Sequence, residues 1–401
     1  MRITLLCNEY PPGPHGGIGS FTRVLACALV RAGHQVRVIG TYSKTHPAPD
    51  YQEDHGVRIW RLRASTYRLG LLWSRYELFH AVNRWIRNEE IDLVEVPDCG
   101  GWIAGWPRLP VPMVLRLHGS LTYLGSQLRL PVSRATFALE QASLRRADFR
   151  CSVSRYAART AQHLFGVATD PVTILYNAVD VPPQIRAVTR SSNQVVFTGT
   201  LTWNKGILSL LEAWPRVAEL HRSAELHIYG KDRLSATGHS VQGLLSRLSG
   251  QTRNSVYFHG HVNRERIFSA LQTARLAVFP SYAESFALAP MEAMACACPT
   301  VYTRRASGPE LIEQCRDGLL VDPDCPNEIT EAVIRLLADD ELAKRLGRAG
   351  RRRIEESFSI DAMVRQNETF YSSCLGNFSQ SRETTVRHRQ GFPKNRQLAG
   401  G

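Results

Sequence analysis

Residues 279–299 read FPSYAESFALAPMEAMACACP, and this stretch constrains the local fold more tightly than any other in the chain. It opens at the end of an apolar, strand-like run, 276–279, which Pro280 and Ser281 close. From about Ala287 onward, Leu288, Met291, Met294 and Ala295 recur at helical spacing. The pattern predicts strand, short loop and helix, with Glu284 on the loop and Glu292 inside the helix. A carboxylate set mid-helix among Ala and Met is either paired or waiting for a ligand's hydroxyls. The helix start adds unpaired backbone N–H groups, which suit an anion. Such a constellation suits a sugar, a phosphate and a ribose. The plain alternative is two solvated glutamates flanking a core helix.

At 401 residues the chain is long for one core, which predicts two domains. Its 43% hydrophobic and 21% charged content is ordinary for a globular enzyme. The opening MRITLLCNEYPP has too short an apolar run for a signal peptide, and no run reaches the ~18–20 apolar residues of a membrane-spanning helix. Nine cysteines without a C-x-x-C pair argue against a disulfide framework or a zinc site and for a reducing compartment, so the expected location is cytoplasmic. The net charge of +13 comes mostly from dispersed Arg without interleaved aromatics, which argues against nucleic acid. An anionic membrane face or a polyphosphorylated lipid acceptor fits that charge, and so does plain Arg usage. The crowd of Arg129, Arg134, Arg145, Arg146, Arg150, Arg155 and Arg159 would serve such a face, or form a solvated surface.

Strand 2–7, the glycine-rich turn 11–19 and a helix from about 20 to 31 set out the phosphate-loop geometry of a doubly wound α/β domain, with Gly16, Gly17 and Gly19 at the turn. A plain tight turn is the alternative. Strands 35–39, 57–62 and 92–96 follow, with a helix across 71–87. Asp98, after the last of these, is a candidate acceptor contact or a helix cap. Strand 111–117 is apolar except for Arg116 and ends in His118, which is either at the lip of the cleft or a satisfied core histidine. The segment 181–192, with Pro182 and Pro183, reads as a linker. A second α/β unit begins at strand 194–199, then the loop 200–206 and the helix 207–219. The last helix is expected over 359–374, and the polar, basic residues 377–401 are expected to be disordered.

Glu284 and Glu292, seven residues apart, resemble the E-x7-E motif of retaining glycosyltransferases with the GT-B fold, and EAMACACPTV resembles the family 4 pattern EAMA-x-G-x-PVV. Similar likenesses run through PPGPHGGIGSFTRVLACALVRAGHQVRVI, RLHG ending in His118, NAVD at 177–180, GTLTWNKG, ELHIYG, GPELI and DGLLV. The resemblance covers nearly the whole chain up to the tail. It implies an α/β, GT-B architecture of two Rossmann-like doubly wound domains facing across a cleft. Residues 1–182 would form the acceptor domain, completed by the helix at about 359–376, and 183–358 the nucleotide-sugar donor domain.

The resemblance further implies site roles. Glu284 would hold donor-sugar hydroxyls and Glu292 the ribose. Gly16, Gly17 and Gly19 would face the reacting phosphate. Lys205, with Thr200 at the family's Arg position, would grip the diphosphate, helped by backbone N–H groups of Ser285, Phe286, Ala287 and Leu288. His261 and Val262 would meet the base through the backbone, and His118 would hold a sugar hydroxyl or back the departing phosphate. His118, Glu284 and Lys205 are thus the implied catalytic residues, and Asp98 and His118 the acceptor contacts.

The implied activity is retaining transfer by front-face attack. A nucleotide-diphosphate sugar would be the co-substrate, a glycan or lipid-linked hydroxyl the acceptor, and neither a metal nor a cofactor would take part. Ala297, Ser285, Ala287 and Ala178 stand where the family has Gly. Thr200 cannot replace a bidentate Arg, so Arg23, Arg304 or Arg305 is a candidate substitute. A weakened, nucleotide-sugar-binding relative and an epimerase on the same fold are the rival readings.

Overall fold

The computed structural model describes residues 1–65, 70–166, 172–182, 190–233 and 240–390. Two sheets organise them. The first holds β1 (Arg2–Leu6), β2 (Gln35–Tyr42), β3 (Tyr51–Asp54), β4 (Val57–Arg63), β5 (Leu93–Pro97), β6 (Met113–Leu117), β7 (Phe149–Ser152) and β8 (Thr173–Ile174). Their spatial order is β3-β4-β2-β1-β5-β6-β7-β8. The second holds β9 (Gln194–Thr198), β10 (Glu225–Tyr229), β11 (Val256–Gly260), β12 (Leu276–Phe279), β13 (Thr300–Thr303) and β14 (Leu319–Val321), in the order β11-β10-β9-β12-β13-β14.

Each order turns back on itself beside its first strand, β1 or β9, and helices cover both faces. That is doubly wound topology, and its crevice opens at the carboxyl ends of the strands. Central strands such as β5 and β6 are buried along their whole length, as parallel strands covered on both sides must be. Apolar clusters lie on either side of each sheet: Leu25, Leu29 and Val38 against Val82, Trp85 and Leu115 in the first, Leu210, Trp214 and Val333 against Met291, Met294 and Tyr302 in the second.

Three features depart from the expectations. Residues 51–54 pair antiparallel with β4, closing the edge of an otherwise parallel sheet. A short helix, Leu121–Leu128, follows β6, with Ser120 accepting from the N–H of Tyr123 as its cap. The chain also does not fray at residue 377. Its last helix is Ile360–Gln390, and Arg382 donates to the carbonyl of Pro110 while lying over the Phe378 ring. Residues 391–401 of the expected tail, and 183–189 of the expected linker, lie outside the described residues.

That helix returns to the first sheet, where Met363, Tyr371 and Cys374 join the core of β1 and β2. The contact is also polar. Arg116 of β6 is wholly buried and forks onto Glu95 of β5 through Nε and Nη2, each at 2.8 Å. Asn367 accepts from Arg116 at 2.5 Å, and the Tyr371 hydroxyl donates to Glu95 at 2.8 Å.

Candidate functional site

The loop after β12 is built as its sequence predicts. Glu284 lies on it, and the helix Leu288–Ala295 starts at Ala287 without any side chain to cap its first N–H groups. The loop is held against the turn of residues 203–206, where Tyr282 N–H donates to Asn204 O at 2.8 Å. Gly206 touches the carbonyl of Pro280 so closely that a Cβ would collide with it, and its φ of +74° suits glycine alone. This contact brings Lys205 Nζ to 2.7 Å from Glu284 Oε1, with the Glu284 side chain nearly buried. The two residues expected to grip diphosphate and sugar are therefore paired with each other.

Glu292 lies one helix turn and more inward. Arg264 Nη2 approaches its Oε1 at 3.5 Å, and Arg264 Nη1 bonds Asp180 Oδ2 at 2.9 Å. Burial pushes the Glu292 carboxyl up to about 6, and Arg264 opposes that shift. His261 and Val262 immediately precede Asn263, which caps the helix Arg264–Thr273, so they share this corner with Glu292.

From the first sheet, His118 and Gly119 meet the same loop. Gly119 has φ +100°, and a Cβ on it would strike Ser285 Oγ. Their N–H groups donate to the two oxygens of Asp98, at 3.0 and 3.1 Å. Asp98 is thus neither a helix cap nor open to an acceptor: it is buried, and its carboxylate shapes the His118 turn. Burial raises its carboxyl to about 7, and the two N–H donors oppose the rise. Burial, with Arg116 adding to it, lowers His118 to about 3. The imidazole, edge-on to Phe21 at 4.8 Å, is therefore neutral. It suits a sugar hydroxyl rather than charge support for a phosphate.

Two residues from the first half of the chain clamp the loop after β12 by its carbonyls. Tyr123 Oη donates to Glu284 O at 3.2 Å and Asn177 Nδ2 to Phe286 O at 2.8 Å. Beside them, Glu310 accepts from the N–H groups of Arg155 and Tyr156 at the start of the helix Arg155–Phe165, at 2.8 and 2.7 Å. Tyr123→Phe keeps the buried ring and removes one such bond, worth about 1 kcal/mol. Stability is expected to fall by about 1 kcal/mol, as denaturant titration of the variant beside wild type will read.

The glycine turn has a carboxylate partner. Glu9 Oε2 and Oε1 accept from Gly16 N–H and Gly19 N–H, at 3.1 and 2.7 Å, so two of its donors already serve a carboxylate. Gly16 itself has no side chain with which to cap the helix Gly17–Arg31, and Glu9 supplies the missing acceptor from seven residues upstream. Gly17 remains exposed.

The three substitute arginines are likewise engaged: Arg23 by Asp54, Arg304 by Glu328, and Arg305 by Asp322 and Asp324. Thr200 is exposed, and the bridge between Leu201 and Asp232 sets Lys231 and Arg233, both exposed, beside it. Spacing gave no sign of these two cations, nor of Arg264, because each reaches the site through a long-range contact, and Glu9 went unmarked although it lies only seven residues before Gly16.

Of the departures from glycine, only Ala297 takes the left-handed region, at φ +54°, and it does so as alanine at a cost of about 1 kcal/mol. Ala287, at φ −75°, needs no glycine.

Two doubly wound sheets meeting at such a cleft define the GT-B class of glycosyltransferase. Sucrose-phosphate synthase from Thermosynechococcus elongatus superposes with a TM-score of 0.78 at 21% identity, over 94% of this chain and 99% of that one. Anabaena HepE in complex with UDP gives 0.70 at 17% identity, over 93% and 100%. Residues 15–182 match the model of Glycosyltransferase Family 4 and residues 192–339 that of Glycosyl transferases group 1. The MMP alpha-(1->4)-mannosyltransferase of Mycolicibacterium hassiacum is 32% identical, across 94% of this chain and 98% of its own. The chain belongs to glycosyltransferase family 4, and it is a transferase.

Proposed function

We propose that the protein moves a sugar from a nucleoside-diphosphate donor to a hydroxyl of a glycan, glycolipid or lipid-linked acceptor, with retention and without a metal. The Lys205–Glu284 pair at the uncapped start of the helix Leu288–Ala295 carries this reading. A diphosphate entering there meets a cation and open N–H groups. The displaced Glu284 carboxylate is then free to accept from sugar hydroxyls. Charge that grows on the leaving diphosphate is met by groups already in place, which is where electrostatic catalysis gains most.

Glu292 and the backbone at His261 and Val262 would hold ribose and base; the UDP bound to Anabaena HepE supports a nucleotide in a cleft of this fold. Lys231 and Arg233 beside Thr200 favour an active enzyme over a weakened relative, since they offer the cation that Thr200 does not. His118 would hold a sugar hydroxyl. The donor phosphate itself would take the acceptor's proton as the new bond forms on the face that the phosphate leaves. Closure of the two sheets would keep out water.

The test is release of nucleoside diphosphate from a sugar nucleotide in excess chelator, with NMR of the product anomer. Transfer with the donor's α configuration preserved is expected. An inverted anomer, or activity lost with chelator and restored by a divalent cation, would contradict the proposal.

Glu292 also gives a pH signature. Its folded carboxyl keeps a proton up to about 6, against a usual value of 4.5, so the residue costs stability above pH 6 and ceases to as pH falls toward 4.5. Glu292→Gln should therefore be more stable than wild type at pH 7.5, by up to roughly 2 kcal/mol, and no more stable near pH 4.5. Its nucleotide affinity should fall at either pH. Denaturant titrations at the two pH values check this.

A further inference from the structure

The helix Gly70–Arg87 buries Ser74, Arg75, Leu78, Val82, Trp85 and Ile86 and leaves an unusual face outside. At its first turns Leu71, Leu72, Trp73 and Tyr76 are 54%, 60%, 53% and 53% exposed. Trp73 and Tyr76 stack at 5.4 Å, and Tyr76 meets His80 at 4.0 Å. Continuing at helical spacing, the same stripe ends in Arg84 and Arg87, both exposed. From Trp73 to Arg87 the stripe is about 21 Å long, apolar and aromatic at one end and cationic at the other. A cluster of large apolar side chains left in water on a folded domain marks an interaction site.

The placement of the stripe is informative. Arg75, beneath it, donates to Gly100 O at 2.7 Å, so the apolar end adjoins the loop that follows β5. The Glu140 carboxylate accepts from both Gly100 N–H and Leu121 N–H, and Leu121 is itself half exposed. The apolar end thus sits on the rim that also carries His118.

We propose that this face docks on an anionic lipid bilayer, with the Leu71–Tyr76 end entering the interface and Arg84 and Arg87 resting on the headgroups. Trp and Tyr favour the level of the headgroups, and each basic residue near an anionic surface contributes about 1 kcal/mol. The chain's net charge of +13 adds long-range attraction to the same surface. In the arginine-rich stretch after residue 128, Arg146 and Arg150 spend their guanidinium groups on the carbonyls of Trp106, Pro107, Leu144 and Ala147, while Arg129, Arg134, Arg145, Arg155 and Arg159 are exposed and add to the positive surface. Docking by the Leu71–Tyr76 end turns the acceptor side of the cleft toward the bilayer. The inference rests on the transferase reading with a lipid-linked acceptor and names the surface that meets the lipid.

The full chain is sedimented with vesicles of phosphatidylcholine alone and of phosphatidylcholine with phosphatidylglycerol, at low and high salt. Wild type is expected to bind the anionic vesicles tightly at low salt and measurably more weakly, though still detectably, at high salt. Leu72→Gln/Trp73→Gln/Tyr76→Gln should weaken binding at least tenfold at both salt levels. Arg84→Gln/Arg87→Gln should weaken it by about tenfold or more at low salt only. Thermal melts equal to wild type confirm that the variants fold. The proposal is overturned if wild type ignores anionic vesicles, or if both variants bind like wild type. It is equally overturned if light scattering shows a wild-type dimer that the triple variant dissolves, because the face would then join two copies. Sugar-nucleotide binding, measured on the same samples, separates the two ideas: it should be unchanged in both variants, and its absence from wild type would sink the transferase reading instead.

Discussion

Lys205→Ala is expected to lower turnover by about 10²- to 10³-fold, the usual loss when one preorganised group facing the developing charge is removed. Two effects act together. The diphosphate loses its cation at the uncapped helix start, and Glu284 is left as a nearly buried carboxylate without its 2.7 Å partner. Loss of the cation should lower donor affinity as well. Lys205→Arg keeps the charge but exchanges a compact ammonium for a larger planar group, and only partial recovery is expected. Glu284→Gln discriminates further: in the proposed site it releases Lys205 from its ion pair and leaves a weaker, neutral acceptor for sugar hydroxyls, so turnover should fall more than donor affinity. Steady-state kinetics on the three variants check these outcomes.

Arg116→Met should be the most destabilising single change in the first sheet, at about 3–5 kcal/mol. The substitution leaves Glu95 buried with, among the described residues, the Tyr371 hydroxyl as its remaining donor, and it cuts the link to Asn367 on the last helix. Adding Glu95→Met should restore much of the loss, because the desolvated charge then disappears with its partner. Denaturant unfolding of the single and double variants measures both steps. Arg116 also depresses the neighbouring His118, so Arg116→Met should move the imidazole closer to its ordinary range, an effect NMR titration can read.

Arg116 shows what a chain read alone can and cannot tell. As an interruption in an apolar strand it was visible, but Asn367 and Tyr371 lie some 250 residues away, and nothing local announces them. The strand, loop and helix around Glu284 and Glu292 were legible because period and glycine or proline punctuation are local signals. The antiparallel strand Tyr51–Asp54 escaped because it is short and polar, half of it facing solvent at a sheet edge. The helix beyond Asn377 escaped because its composition is that of a solvated tail, while its Arg382 contact is with Pro110, in the loop before β6, 272 residues away.

Charge partners were the least legible part of the site. Arg264 on Glu292 and the mutual pairing of Lys205 with Glu284 depend on which loops the second sheet brings together, whereas Glu9 folds back locally on the glycine turn that follows it. Ala297 shows the opposite limit: a residue that disfavours positive φ still adopts it where the surrounding packing fixes the turn.

The central claim, that Glu292 and Lys205 hold a sugar nucleotide, is tested most directly by calorimetry against UDP, GDP and ADP and their sugars, without added metal. The account predicts that one sugar nucleotide binds the wild type and that Glu292→Ala and Lys205→Ala each abolish the heat. Binding that survives both substitutions, or no binding by any of the nucleotides, would contradict it.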